Sequence, residues 1–327
     1  MSSARRPSAK QLAAEASEAR RRRRRRRRRL VLVLVLVLVA GAAVVWLAGP
    51  LGRSTTDGVP LDPAAFSPGA CVAFAPTVGD RHTTVFLDAG HGGLDPGAVG
   101  TTSDGATVDE GAVTLPVELD AAELLRAAGY RVVVSRTTDS NVVRLTPADV
   151  SDGILSLQGA HDDVAARDVC ANLSGAAVLV GIYFDSGASP SDAGSVTTFD
   201  AARPFSAANQ RLATLVQKDT LAAMDAQGWQ IPDDGVQPDS VEGSLVPTSS
   251  SSPVAVAAAN YGHVLLLGPA SPGFFASPSQ MPGALIEPLF VTDPFEGTLA
   301  ASPSAQQVIA RGIAQAVEQY LGPGATG

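Results

Sequence analysis

Apolar residues along this chain fall into three patterns, and each predicts a different element. The longest is unbroken. Residues 30–51 carry no charge and consist almost wholly of Leu, Val, Ala and Gly, with Trp46 near the far end. About twenty apolar residues in helix cross a bilayer, and aromatic side chains favour its interface. The second pattern is a short apolar block bounded by polar or glycine-rich turns, which reads as a buried strand. Such blocks stand at 85–87, 131–135, 176–183, 263–267 and 284–286, with a further short strand at 195–199. The third pattern has helical spacing. It covers 110–128, where Val113, Val117, Leu124 and Leu125 share a face and Gly129 ends the run. It recurs at 162–172, at 206–227 with Leu212, Leu215, Val216 and Met224, and at 306–321. Short buried strands alternating with helices predict an α/β domain: a mixed, mostly parallel sheet of about six strands flanked by helices, preceded by one transmembrane helix.

Charge orients that first helix. Ten consecutive arginines, Arg20 to Arg29, immediately precede it, and arginines on one flank keep that flank in the cytoplasm. The resulting organisation is a basic cytoplasmic tail (1–29), a signal anchor (30–51), an extracytoplasmic linker (52–82) rich in Pro, Gly, Ser and Thr, and a folded domain (83–322). A cleaved signal peptide is the rival, because Ala40, Gly41 and Ala42 offer a small-residue cleavage site. Either way the bulk of the chain is expected outside the cytoplasm, at the cell membrane. The net charge of -8 hides the division: from residue 30 onward 11 Lys and Arg face 30 Asp and Glu. So acidic a domain excludes nucleic acid as a partner, since phosphate binding relies on clustered cations. Cys71 and Cys170 are the only cysteines. In an oxidising compartment they form one disulfide tying the segment before the first strand to the domain; two buried free thiols are the alternative.

The chemistry collects where strands end, because ligands of such sheets sit at the carboxyl ends of strands. The block 85–87 runs into a glycine-rich turn that presents Asp88, His91 and Asp95. An imidazole there, beside glycines, suits a metal ligand or a base. Glu110 opens the first helix of the domain. Tyr183 and Asp185 end the third strand and share a face if that strand persists so far. Glu287 follows an apolar run, so a partly desolvated carboxylate with a raised pKa is expected, as proton transfer requires. Together these suit metal-assisted hydrolysis. His82 and His161 read as surface residues, and His263 as the start of a core strand at the far edge. Residues 233–253, with a run of four serines, read as a mobile polar loop covering the cleft, and 141–158 as a second rim.

The order of these residues resembles a known family. DAGHGGLDPGAVG (88–100), then Glu110, then RDVCAN (167–172) before a buried strand, then ALIEPLFVTD (284–293), is similar to the zinc-dependent N-acetylmuramoyl-L-alanine amidases of peptidoglycan. The resemblance spans about 83–321. It implies a mixed sheet of about six strands, Zn2+ as cofactor, and peptidoglycan as substrate. The reaction it implies is hydrolysis of the amide between the lactyl group of muramic acid and the first L-alanine of the stem peptide. By it, His91 and Glu110 match two zinc ligands and Glu287 the glutamate that activates the attacking water. One departure is plain. Where the family has S-I-H-x-N, this chain has Gly181, Ile182, Tyr183, Phe184 and Asp185, so a phenol stands at the third ligand position. Neutral phenol is a poor zinc ligand, whereas the Asp185 carboxylate is an ordinary one. The alternative is an amidase-like domain without turnover that binds peptidoglycan or an envelope partner.

Overall fold

The computed structural model describes residues 58–243, 256 and 259–322. The expected membrane anchor and arginine tail lie outside them. Among the described residues no helix is long and apolar enough to cross a membrane.

The chain order is β1 (Val59–Pro60), β2 (Ala70–Phe74), β3 (Thr84–Ala89), the small hairpin β4 (Val99–Thr101) and β5 (Thr107–Asp109), α1 (Glu110–Ala127) and β6 (Arg131–Arg136). There follow a second small hairpin, β7 (Val150–Ser151) and β8 (Ile154–Leu155), then α2 (Leu157–Ser174), β9 (Val178–Ile182), β10 (Ser195–Phe199) and α3 (Ser206–Asp225). The chain ends with β11 (Asp233–Pro238), α4 (Asp239–Gly243), β12 (Gly283–Glu287), α5 (Pro294–Ala300) and α6 (Pro303–Leu321). Eight strands form one sheet in the order β1-β2-β6-β3-β9-β12-β10-β11. The centre, β6, β3, β9 and β12, is parallel. On one side β2 runs antiparallel to β6; on the other, β10 and β11 are parallel to each other and antiparallel to β12.

Alternation along the strands builds two cores. Val85, Leu87, Val132, Val134, Val178 and Val180 face one way, into a cluster with α1, α3 and α6. Phe86, Val133, Leu179 and Leu285 face the other, where α2 supplies Cys170 and Ala171. Strands covered on both faces lose the polar alternation of a half-exposed sheet, which is why RVVVS reads as a solid apolar block.

The sheet has eight strands where about six were expected: β1 and β2 are added at one flank and β11 at the other, and the one expected at 263–267 is lost. Residues 58–74, expected as linker, contribute β1 and β2. Cys71 and Phe66 are fully or almost fully buried, and β2 pairs with β6 from Ala70 opposite Arg136 to Phe74 opposite Val132. At the other flank, residues 233–238 of the expected polar loop form β11, a strand paired on β10 alone; an edge strand needs little apolar content. The expected strand at 263–267 is instead a turn. Leu267 and Gly268 both donate their N–H to the Val264 carbonyl, and Leu266 and Leu267 are buried against the second core. Burial alone therefore accounts for that apolar run. The disulfide Cys71–Cys170 is formed, with Cα atoms 5.6 Å apart, joining β2 to α2.

Candidate functional site

At the carboxyl edge of β3 the chain leaves the sheet and turns sharply. His91 takes a left-handed backbone (φ 59°), a conformation that costs a side-chain-bearing residue energy and persists only where surroundings hold it. Two buried arginines do the holding. Arg136, at the end of β6, donates to the carbonyls of Ala89, Gly90 and Gly111. Arg167, in α2, donates to the carbonyls of Ala89 and His91 and to the carboxylate of Asp88 (2.8 Å). Asp163 takes the other side of that guanidinium at 2.8 Å. Thr114 Oγ1 completes the set by donating to Gly90 O.

The turn delivers His91 to two carboxylates. Its Nδ1 lies 2.8 Å from Asp95 Oδ2, and its Nε2 lies 3.1 Å from Glu110 Oε2. Glu110 starts α1 and is almost wholly buried, with Oε1 accepting from Phe184 N and Oε2 from Ala98 N, both at 2.9 Å. Gly97 sits over the pair: a Cβ there would fall 2.6 Å from Glu110 Oε2 and 2.7 Å from the imidazole, so the site requires glycine. Burial opposes charging the imidazole. The Glu110 carboxylate and the hydrogen bonds to Asp95 and Glu110 reverse that effect and raise the His91 pKa to about 10. The same negative charges that favour a proton on this imidazole would favour a cation between nitrogen and carboxylate.

The donor chemistry fits a zinc-class ion at two corners. An imidazole nitrogen and a carboxylate oxygen 3.1 Å apart are close to the edge of about 3.3 Å expected for a tetrahedron with bonds of about 2.0–2.1 Å. Asp95 on the far nitrogen is the usual carboxylate partner of a ligating histidine. Tyr183 does not complete the set. Its hydroxyl donates to Asp88 Oδ2 at 3.2 Å, and its ring stands edge-on to the imidazole, with centroids 5.3 Å apart. Burial, and after it the Asp88 carboxylate, push the phenol well above its usual pKa, so it stays protonated. Strand β9 ends at Ile182, but pairing with the following segment continues: Tyr183 N donates to Ile286 O and Asp185 bridges Phe290, while Asp185 Oδ1 accepts from Ser186 N. Glu287 ends β12, half-buried. Because Ile286 is in register with Ile182, it stands beside Tyr183 on the same edge of the sheet.

Residues 139–141, ahead of the β7–β8 hairpin, rim this site. Asp139 and Asn141 accept from Gly93 N and Leu94 N, and Asn141 Nδ2 donates to Gly92 O. Of the other histidines, His82 is exposed, but His161 is largely buried, its Nε2 2.8 Å from Phe274 O. Sequence reasoning missed Arg136, Thr114 and Glu118 altogether. Their one signal is a charged or polar residue inside or ending an otherwise apolar element. Among the described residues, the group of three side chains whose donor atoms all lie within 4.8 Å is elsewhere: Asp200, Asp239 and His263.

With this geometry in hand, comparisons with known proteins are direct. A family model described as N-acetylmuramoyl-L-alanine amidase matches residues 85–319. No curated protein matches the chain. Among solved structures, the CwlD amidase of Clostridioides difficile in complex with the GerS lipoprotein aligns with a TM-score of 0.52 at 20% identity, covering 73% of this chain and 98% of that one. The N-acetylmuramoyl-L-alanine amidase AmiC2 of Nostoc punctiforme aligns at 0.49 and 22% identity over 74% and 99% of the two chains. An N-acetylmuramoyl-L-alanine amidase from Clostridium difficile 630 aligns at 0.48 and 24% over 73% and 96%.

Proposed function

Because this chain belongs to the N-acetylmuramoyl-L-alanine amidase family, and is a cell-wall amidase, we propose that it cleaves the bond between muramic acid and L-alanine at the sheet edge carrying His91, Glu110 and Glu287. The observation that carries this reading is the convergence of His91 Nε2 and Glu110 Oε2 at 3.1 Å, on a turn that two buried arginines hold in place. These two atoms are the proposed zinc ligands. The chemistry such an ion supplies is polarisation of the scissile carbonyl and acidification of water.

The chain's own residues divide the remaining work. Asp95 on Nδ1 fixes the imidazole so that Nε2 faces Glu110. Arg136 and Arg167 act through the backbone of the turn, and are positioning residues. Glu287 takes the proton from the attacking water and returns it to the departing amine nitrogen of L-alanine, as a carboxylate at the end of a buried strand can. Tyr183 stays a neutral donor to Asp88, leaving the third protein position to solvent or substrate.

The same reading puts the domain outside the cytoplasm, behind an anchor at 30–51. Its supports are the charge asymmetry around that apolar run and the Cys71–Cys170 disulfide, a bond that persists in oxidising compartments. Tyr183 favours one competing reading, a wall-binding module without turnover. Incubating the full chain with purified sacculi separates the two. Wild type is expected to release stem peptides with a new L-alanine amino terminus. Glu287→Gln is expected to lose this by at least about a hundredfold while keeping its zinc. Binding to sacculi with no release by wild type would establish the competing reading, and equal release by both proteins would remove Glu287 from the mechanism.

A further inference from the structure

Because β10 runs antiparallel to β12, its carboxyl end lies at the opposite edge of the sheet from Glu287. That edge holds a second polar centre. Asp200 follows β10 directly, Asp239 follows β11 and begins α4, and His263 comes from the turn-rich segment ahead of β12. Both carboxylates are completely buried, in the same protein whose surface is rich in acids. His263 Nδ1 lies 3.0 Å from Asp200 Oδ2 and 3.3 Å from Asp239 Oδ1. One imidazole nitrogen carries at most one proton, so it cannot serve two carboxylate oxygens together. The hydrogen bond of Nδ1 is the one to Asp239 Oδ1, so Asp200 Oδ2 is the atom left over: buried, beside the imidazole, and making no hydrogen bond among the described residues.

The surroundings are built, and the nearest cation among the described residues does not fill the deficit. Asp200 Oδ1 accepts from the backbone N–H groups of Ala202 and Arg203, and Asp239 Oδ2 from Val264 N, so one oxygen of each acid is fixed and the other points inward. The nearby Arg203 guanidinium is spent on the carbonyls of Leu267, Gly268 and Ser279. Tyr261 packs against His263, ring centroids 5.3 Å apart, and donates its hydroxyl to Pro269 O. Two carboxylate oxygens and one imidazole nitrogen within 4.8 Å of one another can close on one ion with bonds of about 2.0–2.2 Å. The mixed nitrogen and oxygen set suits zinc or a similar transition ion better than calcium, which takes oxygens only.

We propose that Asp200, Asp239 and His263 form a second divalent-metal site, zinc being the fitting ion, which ties the ends of β10 and β11 to the segment that returns the chain to β12. It is separate from the amidase centre and does not depend on the reading given for His91.

Titrating zinc into the metal-stripped full chain tests it, with Co2+ absorption as a report on nitrogen ligation. Wild type is expected to bind two equivalents, the tighter one at this three-donor site, and His263→Ala, Asp239→Asn and His91→Ala one each. The zinc-dependent rise in Tm should persist in His91→Ala and shrink in Asp239→Asn, a near-isosteric change whose folding far-ultraviolet circular dichroism verifies. One equivalent in wild type, lost in His91→Ala and unaffected in Asp239→Asn, would overturn this site and leave the amidase site standing. One equivalent lost in Asp239→Asn but kept in His91→Ala would support this site and remove zinc from the proposed catalytic centre.

Discussion

On the proposed reading, in which His91 and Glu110 hold zinc, Tyr183 decides how firmly the ion is held. Its hydroxyl is committed to Asp88, itself gripped by Arg167, so the phenol is part of the network that shapes the His91 turn. Two protein donors hold an ion more weakly than three. Replacing the phenol by an imidazole would restore the third donor type of the family pattern, at the loss of one hydrogen bond to Asp88. Tyr183→His is therefore expected to tighten zinc binding by roughly tenfold or more, equivalent to about 1.4 kcal/mol. Chelator competition on the two proteins measures it. Unchanged or weaker affinity in Tyr183→His would mean that the third position is not at residue 183.

At the scale of elements, α1 is pinned between two strands by one carboxyl group. Glu118 Oε1 accepts from Ala89 N in β3 and from both the N–H and the hydroxyl of Ser135 in β6. Burial, partly offset by Arg136 and reinforced by Asp88, raises the Glu118 pKa from 4.5 to about 8. The unfolded chain gives up this proton near 4.5 while the folded protein keeps it to about 8. Stability from this group is thus full below 4.5 and is lost as pH rises through 8, by an amount on the order of a few kcal/mol. Glu118→Gln keeps the accepting oxygen without the titration. Its unfolding free energy should fall less steeply than wild type between pH 5 and 8, and exceed it at pH 8.5. Parallel urea-denaturation curves across that range would refute the assignment. This group also shows where legibility ended. The helix was readable from Val113, Val117 and Leu125, and the places of His91 and Glu110, which the structure brings to 3.1 Å, from the strand and helix ends. A charge inside a helix or at a strand end reads as surface in sequence, and only the tertiary fold turns Glu118, Arg136 and Arg167 inward. The turn at 264–268 failed for a related reason: apolar runs report burial, and leave open whether the backbone is extended.

For the whole molecule, the sharpest difference between pattern and structure is where the folded unit starts. Residues 58–82 carry several Pro and Gly, yet Phe66 and Cys71 are buried in the second core and β2 covers the edge of β6. Without β2, the strand RVVVSR would present an apolar edge of unpaired N–H and C=O groups, a template for aggregation. The disulfide adds to this. It closes a separation of 99 residues, which in the chain-entropy view is worth roughly 4–5 kcal/mol. It also anchors α2, the helix that carries Arg167 to the His91 turn. A chain beginning at residue 58 is thus expected to be monomeric and to unfold in one transition whose Tm drops on reduction. A chain beginning at residue 83 lacks β1, β2 and Cys71. It should be aggregated or markedly less stable, beyond the loss that reduction alone causes in the longer chain. Size-exclusion chromatography and thermal unfolding of both, with and without reductant, make the comparison. If the shorter chain matches the reduced longer one, then β2 contributes only its cysteine, and residues 58–82 act as the tether their composition suggests.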